Sequence, residues 1–313
     1  MGTPEFACAS LEAIIASDFA EVVAVVTVPD KPAGRGQQLR FSEVKNTALK
    51  HNLSVLQPEK LKDEQFIEQL KQYNADVFVV VAFRILPEMV YSIPPKGSFN
   101  LHASLLPNYR GAAPIQRAVM NGETKSGVTT FFLNPQVDCG DIIDQVEVDI
   151  RPDETTGELY DDLMRVGAGL TVKTLKAIEE GSVSCKKQTV ISENAIKTAP
   201  KILKEDMLIQ WDRPSCEIFN QIRGLSPYPG AYTRIKNIEG KEFIIKCYEA
   251  EISVEESSKT AGTWEIDAQN HIIVHTSDKC ILLKIIQFEG KKRMPASEFL
   301  RGWRAENYAK VLY

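Results

Sequence analysis

The run Val77-Phe78-Val79-Val80-Val81 constrains this chain more than any other segment. Consecutive, mostly β-branched apolar residues without polar alternation read as a strand with no wet face. Strands buried on both faces belong to parallel sheets covered by helices on either side. The rest of the first half supplies suitable partners. Apolar runs at 21–28, 54–57, 98–101, 127–133 and 142–148 alternate with helix-like segments at 7–16, 41–51, 63–73, 114–120 and 157–180. Thr156 is expected to cap the last of these helices. The pattern predicts an α/β, Rossmann-like, largely parallel sheet with helices on both faces.

The pattern changes near Gly181. Residues 184–206 are polar and Lys-rich and contain Pro200, as a basic linker would. A helix over 216–223 leads into Gly224-Leu225-Ser226-Pro227-Tyr228-Pro229-Gly230, and short alternating runs follow at 231–236, 242–250, 271–275 and 280–288. Short strands with turn signals between them predict a small, OB-like β-barrel. The expected division is 1–183, a linker over 184–206, and 207–313.

The opening Gly2-Thr3-Pro4-Glu5 reads as the loop after a first strand, with Thr3 as N-cap and Pro4 at the first helical position. The strand itself is absent. A sheet of this kind places it between neighbours, and each buried backbone group left unpaired costs ~1–3 kcal/mol. Several such losses rival the ~5–15 kcal/mol that holds a domain together. The expectation is therefore that Met1 is an internal methionine and that several upstream residues are missing.

No apolar run approaches the ~20 residues of a membrane span, and the start shows no basic segment leading into an apolar one. A cytoplasmic protein without a membrane partner is expected. The cysteines Cys8, Cys139, Cys185, Cys216, Cys247 and Cys280 form no C-x-x-C pair and have no His at zinc-ligand spacing. Reduced thiols and no metal site are the expectation. A net charge of −5 argues against a general nucleic-acid coat protein. The charge is uneven, however: residues 31–62 hold Lys31, Arg35, Arg40, Lys45, Lys50, Lys60 and Lys62 against Glu43 and Glu59. A second basic stretch holds Lys186, Lys187, Lys197, Lys201 and Lys204. Taken alone, each reads equally well as a solvated face.

The densest polar cluster is Asn100-Leu101-His102-Ala103-Ser104-Leu105-Leu106-Pro107. Asn100 and His102 stand two apart at a strand end, so they share a face. They lie at the rim where open α/β sheets bind ligands. An amide beside an imidazole there is either a site or a polar strand end. Asp138-Cys139-Gly140-Asp141 follows the next strand and reads either as a turn or as a carboxylate serving a nearby His, by taking a proton or raising its pKa. Too few hard ligands surround it to favour a metal.

The N-x-H-x-S-L-L-P pattern at 100–107 resembles the signature of the 10-formyltetrahydrofolate-dependent formyltransferase family, whose Asn and His are catalytic. Asp138 falls where that family carries its catalytic Asp in a D-x-G-D turn. Three further stretches are similar to the branch acting on methionyl-tRNA: Pro29-Asp30-Lys31-Pro32-Ala33-Gly34-Arg35-Gly36, Pro107-Asn108-Tyr109-Arg110-Gly111-Ala112-Ala113-Pro114-Ile115-Gln116, and Ile222-Arg223-Gly224-Leu225-Ser226-Pro227-Tyr228-Pro229-Gly230-Ala231. The matches run from Gly2 to at least residue 231.

The resemblance implies transfer of the formyl group of 10-formyltetrahydrofolate to the amine of initiator methionyl-tRNA. It implies Asn100 and His102 as oxyanion donors, with Asp138 favouring the imidazolium and accepting the amine proton. Ser104, Leu105, Leu106 and Pro107 would lie against the folate, and Arg84, Ile85 and Leu86 would help enclose the pterin. Lys31 and Arg35, on a flexible basic loop, and Lys201 and Lys204 would meet tRNA. Neither a metal nor a covalent nucleophile is needed, and a monomer is expected.

Four alternatives fit less well. Glycinamide ribonucleotide formyltransferases usually have one domain, and amino-sugar formyltransferases lack the Arg35 loop and the 226–231 motif. An oxidoreductase would need G-x-G-x-x-G where Gly2-Thr3-Pro4 stands. A non-catalytic RNA-binding module would leave Asn100, His102 and Asp138 without a role.

Overall fold

The computed structural model describes residues 1–33, 38–189 and 196–313. The chain forms two compact units, the first from residues 1–114, 125–149 and 160–199, the second from 115–124, 150–159 and 200–313. Their elements up to residue 199 are, in order, α1 (Glu5–Ile15), β1 (Val25–Val26), β2 (Lys31–Ala33), β3 (Gln38–Arg40), α2 (Glu43–Lys50), β4 (Val55–Leu56), α3 (Glu64–Gln72), β5 (Phe78–Val81), α4 (Glu88–Tyr91), β6 (Ser98–His102), β7 (Arg110–Gly111), α5 (Pro114–Met120), β8 (Lys125–Phe132), β9 (Ile142–Asp149), α6 (Thr156–Glu180) and β10 (Thr198–Ala199).

The first unit is the expected α/β sheet. β1 pairs with β4 and β5 with β6, both in parallel. Met1 and Gly2 join the two pairs: Gly2 N donates to Val26 O at 3.0 Å and Val81 N to Met1 O at 2.9 Å. A cavity of about 430 Å³ continues from this bridge between residues 22–26 and 75–79; Asn100, His102 and Asp138 do not line it. β8 is antiparallel to both β6 and β9. The turn joining β8 to β9 is too short for a crossover, so it can link only antiparallel neighbours. Helices cover both faces. Phe66 and Leu70 of α3 pack with Phe78 and Val80. Ile14 of α1, with Leu175 and Ile178 of α6, encloses Phe99 from β6. This burial explains the unbroken apolar run at 77–81.

Side-chain caps set some helix starts but not that of α1, where Pro4 rather than the expected Thr3 takes the N-cap position and Glu5 opens the helix. Ser42 accepts from Lys45 N at 3.1 Å and Asp63 from Phe66 N at 3.0 Å. The expected cap at Thr156 is corrected. Thr155 and Glu158 form the reciprocal box, with Glu158 N reaching Thr155 Oγ1 at 3.3 Å and Thr155 N reaching Glu158 Oε2 at 2.9 Å. Thr156 instead donates to Gly224 O at 2.7 Å, because a helical residue can turn its hydroxyl to a buried carbonyl.

The second unit contains α7 (Lys204–Met207), α8 (Ser215–Gly224), β11 (Ala231–Lys236), β12 (Glu242–Glu256), β13 (Trp264–Ile266), β14 (Ile272–His275) and β15 (Lys279–Phe288). The strands form one antiparallel sheet in the order β11-β12-β15-β14-β13. Irregularities after Cys247, Glu249 and Ile252 let the long β12 bend. The sheet curls into a half-barrel around Ile218 and Ile222 of α8, Trp211, Ile235, Val274, Ile281 and Leu283. The C-terminal tail spans its open edges. Arg234 N donates to Tyr313 O at 2.9 Å on β11, and Trp264 N to Lys310 O at 3.0 Å on β13. Neither edge is left as a template for another chain.

Cys247 lies inside this half-barrel, where burial pushes its thiol up to about 12. Cys185 and Cys216 are exposed. At pH 8 an aromatic disulfide reagent is expected to label Cys185 and Cys216 at least ~100-fold faster than Cys247, since they are exposed while burial hides Cys247 and keeps its thiol protonated. Peptide mass spectrometry of the folded protein reads this out. Fast labelling of Cys247 would contradict its placement.

Candidate active site

β6 carries Asn100 and His102 to the rim of the sheet. Asn100 pairs with Val80 of β5 and Phe131 of β8, and His102 with Thr129. Both side chains therefore leave the same face of one strand. His102 is buried, at 7% exposure, and its Nε2 lies 2.9 Å from Tyr109 O. A carbonyl only accepts, so Nε2 is the donor in this contact, and among the described residues Nδ1 has no hydrogen-bond partner. Asn100 is half-buried, and among the described residues its carboxamide has no hydrogen-bond partner. Its donor and acceptor are both available to a ligand.

The loop after β6 is pinned from β8 and β9. Thr129 Oγ1 donates to Ser104 O at 2.6 Å and accepts from Leu106 N at 3.2 Å and Gln145 Nε2 at 2.8 Å. Ser104 Oγ donates to Asn108 O at 2.7 Å. Leu106 packs on Phe131 and Ile142. Ser104 and Leu106 thus hold the loop from inside, while Leu105 and Pro107 are half-buried.

Asp138 sits in the β8–β9 turn with φ +55°. Its Oδ2 accepts from Gly111 N at 2.9 Å. A side chain at Gly111 would bring its Cβ within 2.4 Å of Ala199 O, and one at Gly140 within 1.6 Å of Phe132 O. Both loops are thus packed backbone to backbone. Among the described residues no hydrogen bond joins His102 to Asp138; each is tied to the 109–111 loop instead. The expected carboxylate support of the imidazole is not a direct contact here.

The segment expected as a linker does more than connect. Lys186 exchanges two backbone bonds of 2.8 Å with Ile142, and β10 pairs in parallel with β7. Tyr109 N donates to Lys197 O at 2.5 Å. Gln188 Nε2 donates to Asp138 O at 2.9 Å and Gly140 O at 2.8 Å. Gln188 Oε1 accepts from Arg110 Nε at 3.0 Å and Nη2 at 2.5 Å. Residues 186–188 and 197–199 therefore form a strap over the loops that carry Tyr109 and Asp138. Thr129, Gln145 and Gln188 had no signal in the sequence, being isolated polar residues outside any motif.

The remaining expected contacts are dispersed. Arg84 donates to Glu59 O at 3.0 Å and Pro58 O at 2.7 Å, fixing a neighbouring loop. Leu86 is buried in the core, whereas Ile85 is 76% exposed. Lys31 is exposed on β2, which pairs with β3 as a short hairpin. At its base, hydrogen bonds from Lys45 and Gln57 hold the Asp30 carboxyl below its usual range. Arg35 lies outside the described residues. Lys201 and Lys204 are exposed in the second unit. Among the described residues no cluster of His, Cys, Asp or Glu is placed to hold a metal, and no helix is long and apolar enough to cross a membrane.

Comparison with known proteins shows the family and the fold. Residues 1–175 match the family model described as formyl transferase, and residues 201–304 match formyl transferase, C-terminal domain. Methionyl-tRNA formyltransferase of Flavobacterium johnsoniae is 49% identical over 313 residues, covering 99% of this chain and 97% of that protein. The enzyme of the same name from Bacteroides fragilis is 44% identical over 312 residues, covering 99% and 96%. Among solved structures, WlaRD, a sugar 3N-formyl transferase crystallised with dTDP and 5-N-formyl-THF, aligns with a TM-score of 0.63 at 23% identity, covering 93% of this chain and 97% of that one. HypX from Aquifex aeolicus, in complex with tetrahydrofolic acid, aligns at 0.57 and 17% identity, covering 83% and 46%. At these identities the two structures speak for the fold.

Proposed function

The chain belongs to the formyl transferase family, and we propose that Asn100, His102 and Asp138 move the formyl group of 10-formyltetrahydrofolate to the α-amino group of initiator methionyl-tRNA. The observation that carries the substrate is identity of 44–49% over nearly the full length of methionyl-tRNA formyltransferases, second unit included. The residues suit such a donor. Asn100 offers a free amide, and Ile85 stands exposed after β5 as an apolar surface for a flat ring. Ser104, Leu105, Leu106, Pro107, Arg84 and Leu86 shape that rim.

The neutral amine attacks the formyl carbon, a C–N bond forms, and the carbonyl electrons move to oxygen. Asn100 donates to the resulting oxyanion. Because His102 Nε2 is committed to Tyr109 O, His102 donates through Nδ1, which requires the imidazolium. Asp138 Oδ2 is held by Gly111, so Oδ1 takes the proton from the new ammonium, directly or through a water. Collapse breaks the bond to the folate N10, which takes up the proton that Asp138 received, directly or through the same water. One proton leaves the amine and one reaches N10, so the reaction balances. A preorganised oxyanion donor of this kind is worth ~100–1000-fold in rate.

We assign residues 1–183 to catalysis, 184–206 to the connecting segment and 207–313 to added tRNA affinity. Lys31, Arg35, Lys201 and Lys204 are the proposed tRNA contacts, and the enzyme works as a cytoplasmic monomer. Pure protein supplied with formyl-folate is expected to formylate initiator Met-tRNA at least ~10-fold faster than elongator Met-tRNA, and to leave glycinamide ribonucleotide untouched. If contacts with the tRNA backbone dominate binding, log affinity falls linearly with log salt. Preference for glycinamide ribonucleotide, or no formylation of Met-tRNA, would overturn this reading.

A further inference from the structure

We propose that Gln188 is a positioning residue of this active site, fixing the Asp138 carboxylate by clamping the β8–β9 turn to the Arg110–Gly111 loop. The inference rests on the catalytic reading of Asp138 given above. A carboxamide offers two N–H donors and a two-lone-pair acceptor on one plane. Gln188 uses all of them. Its two N–H groups reach the carbonyls of Asp138 and Gly140, and its oxygen receives two N–H groups from Arg110. Asp138 Oδ2 is held by Gly111 N, the residue next to Arg110. The result is a closed ring. The main chain of Asp138 is tied to Arg110 through Gln188, and its side chain is tied directly to Gly111.

The turn needs such a clamp. Asp138 lies at φ +55°, a region that costs a non-glycine residue roughly 1–3 kcal/mol and persists only when its surroundings enforce it. Without Gln188 the carbonyls of Asp138 and Gly140 lose their donors, and the turn is free to relax. A displacement of about 1 Å at a reacting group can cost ~100-fold in rate. The clamp is itself held from both sides: Lys186 pairs with Ile142 before it, and β10 pairs with β7 after it.

The test is a mutant cycle on the full-length protein. Gln188→Met keeps the length and removes every polar atom. Gln188→Glu keeps the acceptor for Arg110 but turns a carboxylate oxygen toward two carbonyls. Both are expected to lower kcat for Met-tRNA formylation by ~10–100-fold, with KM for formyl-folate within ~2-fold and the thermal midpoint nearly unchanged. In an Asp138→Asn background, Gln188→Met should add less than ~2-fold, because its effect passes through the missing carboxylate. A kcat of Gln188→Met within ~2-fold of the parent, beside an impaired Asp138→Asn, would overturn the positioning role. So would a loss that is fully additive with Asp138→Asn, or one that tracks a matching fall in thermal midpoint. Near-normal turnover by Asp138→Asn would instead sink the catalytic reading itself, and the proposal with it.

Discussion

His102→Asn and Asp138→Ala are each expected to lower kcat by at least ~100-fold while the protein remains folded. The two variants remove different parts of the reaction. His102 is buried and held by a single bond to Tyr109 O, so its ring is oriented before substrate arrives. Asparagine is shorter and uncharged, and cannot place a cationic donor at the position of Nδ1. Asp138 is half-buried, and its removal frees Gly111 N without opening a core. Formylation kinetics with saturating folate, set beside thermal unfolding of the same samples, separates loss of chemistry from loss of structure. Near-normal turnover in either variant would end the assignment of that residue.

Gly140→Ala is expected to destabilise the first unit by roughly 2–4 kcal/mol and to abolish most activity. The added Cβ would lie 1.6 Å from Phe132 O and 3.1 Å from the Phe131 ring. The nearest atom is backbone, so no rotamer change relieves the overlap. The β8–β9 turn must open, and Asp138 moves with it. A thermal midpoint lowered by roughly 5–15 °C is the corresponding readout. Gly169→Ala is the matched control. That position lies in α6 with nothing within 4 Å of the added carbon, so a gain of ~0.5–1 kcal/mol from helix propensity is expected. If Gly140→Ala unfolded at the parent temperature with parent activity, the tight approach of the turn to β8 would be wrong.

Much of this molecule was legible along the chain. Helix α5 over Pro114–Met120 and strand β11 over Ala231–Lys236 match the expected ranges residue for residue. Asn100 and His102 share a face because they stand two apart on a strand, a fact of strand geometry that needs no fold. The curled sheet of the second unit followed from its short alternating runs. Strand ends were read less well: the run at 21–28 pairs only over Val25–Val26. Pairing needs a neighbour as well as β propensity. The short β13, Trp264–Ile266, was missed for the same reason.

What tertiary structure alone decided lies in contacts between distant residues. Gln188 bonds across 50 residues to Asp138 and across 78 to Arg110, and looked like part of a polar linker. The carbonyl that sets the protonated nitrogen of His102 belongs to Tyr109, a residue at φ +60° whose orientation depends on the strap that binds its N–H. The tail that spans the half-barrel edges pairs Tyr313 with Arg234. Strand faces and the Asn-x-His spacing are encoded within a few residues, so they could be read along the chain. Which distant carbonyl a side-chain amide reaches depends on how loops from separate strands are brought together, and only the folded chain specifies that.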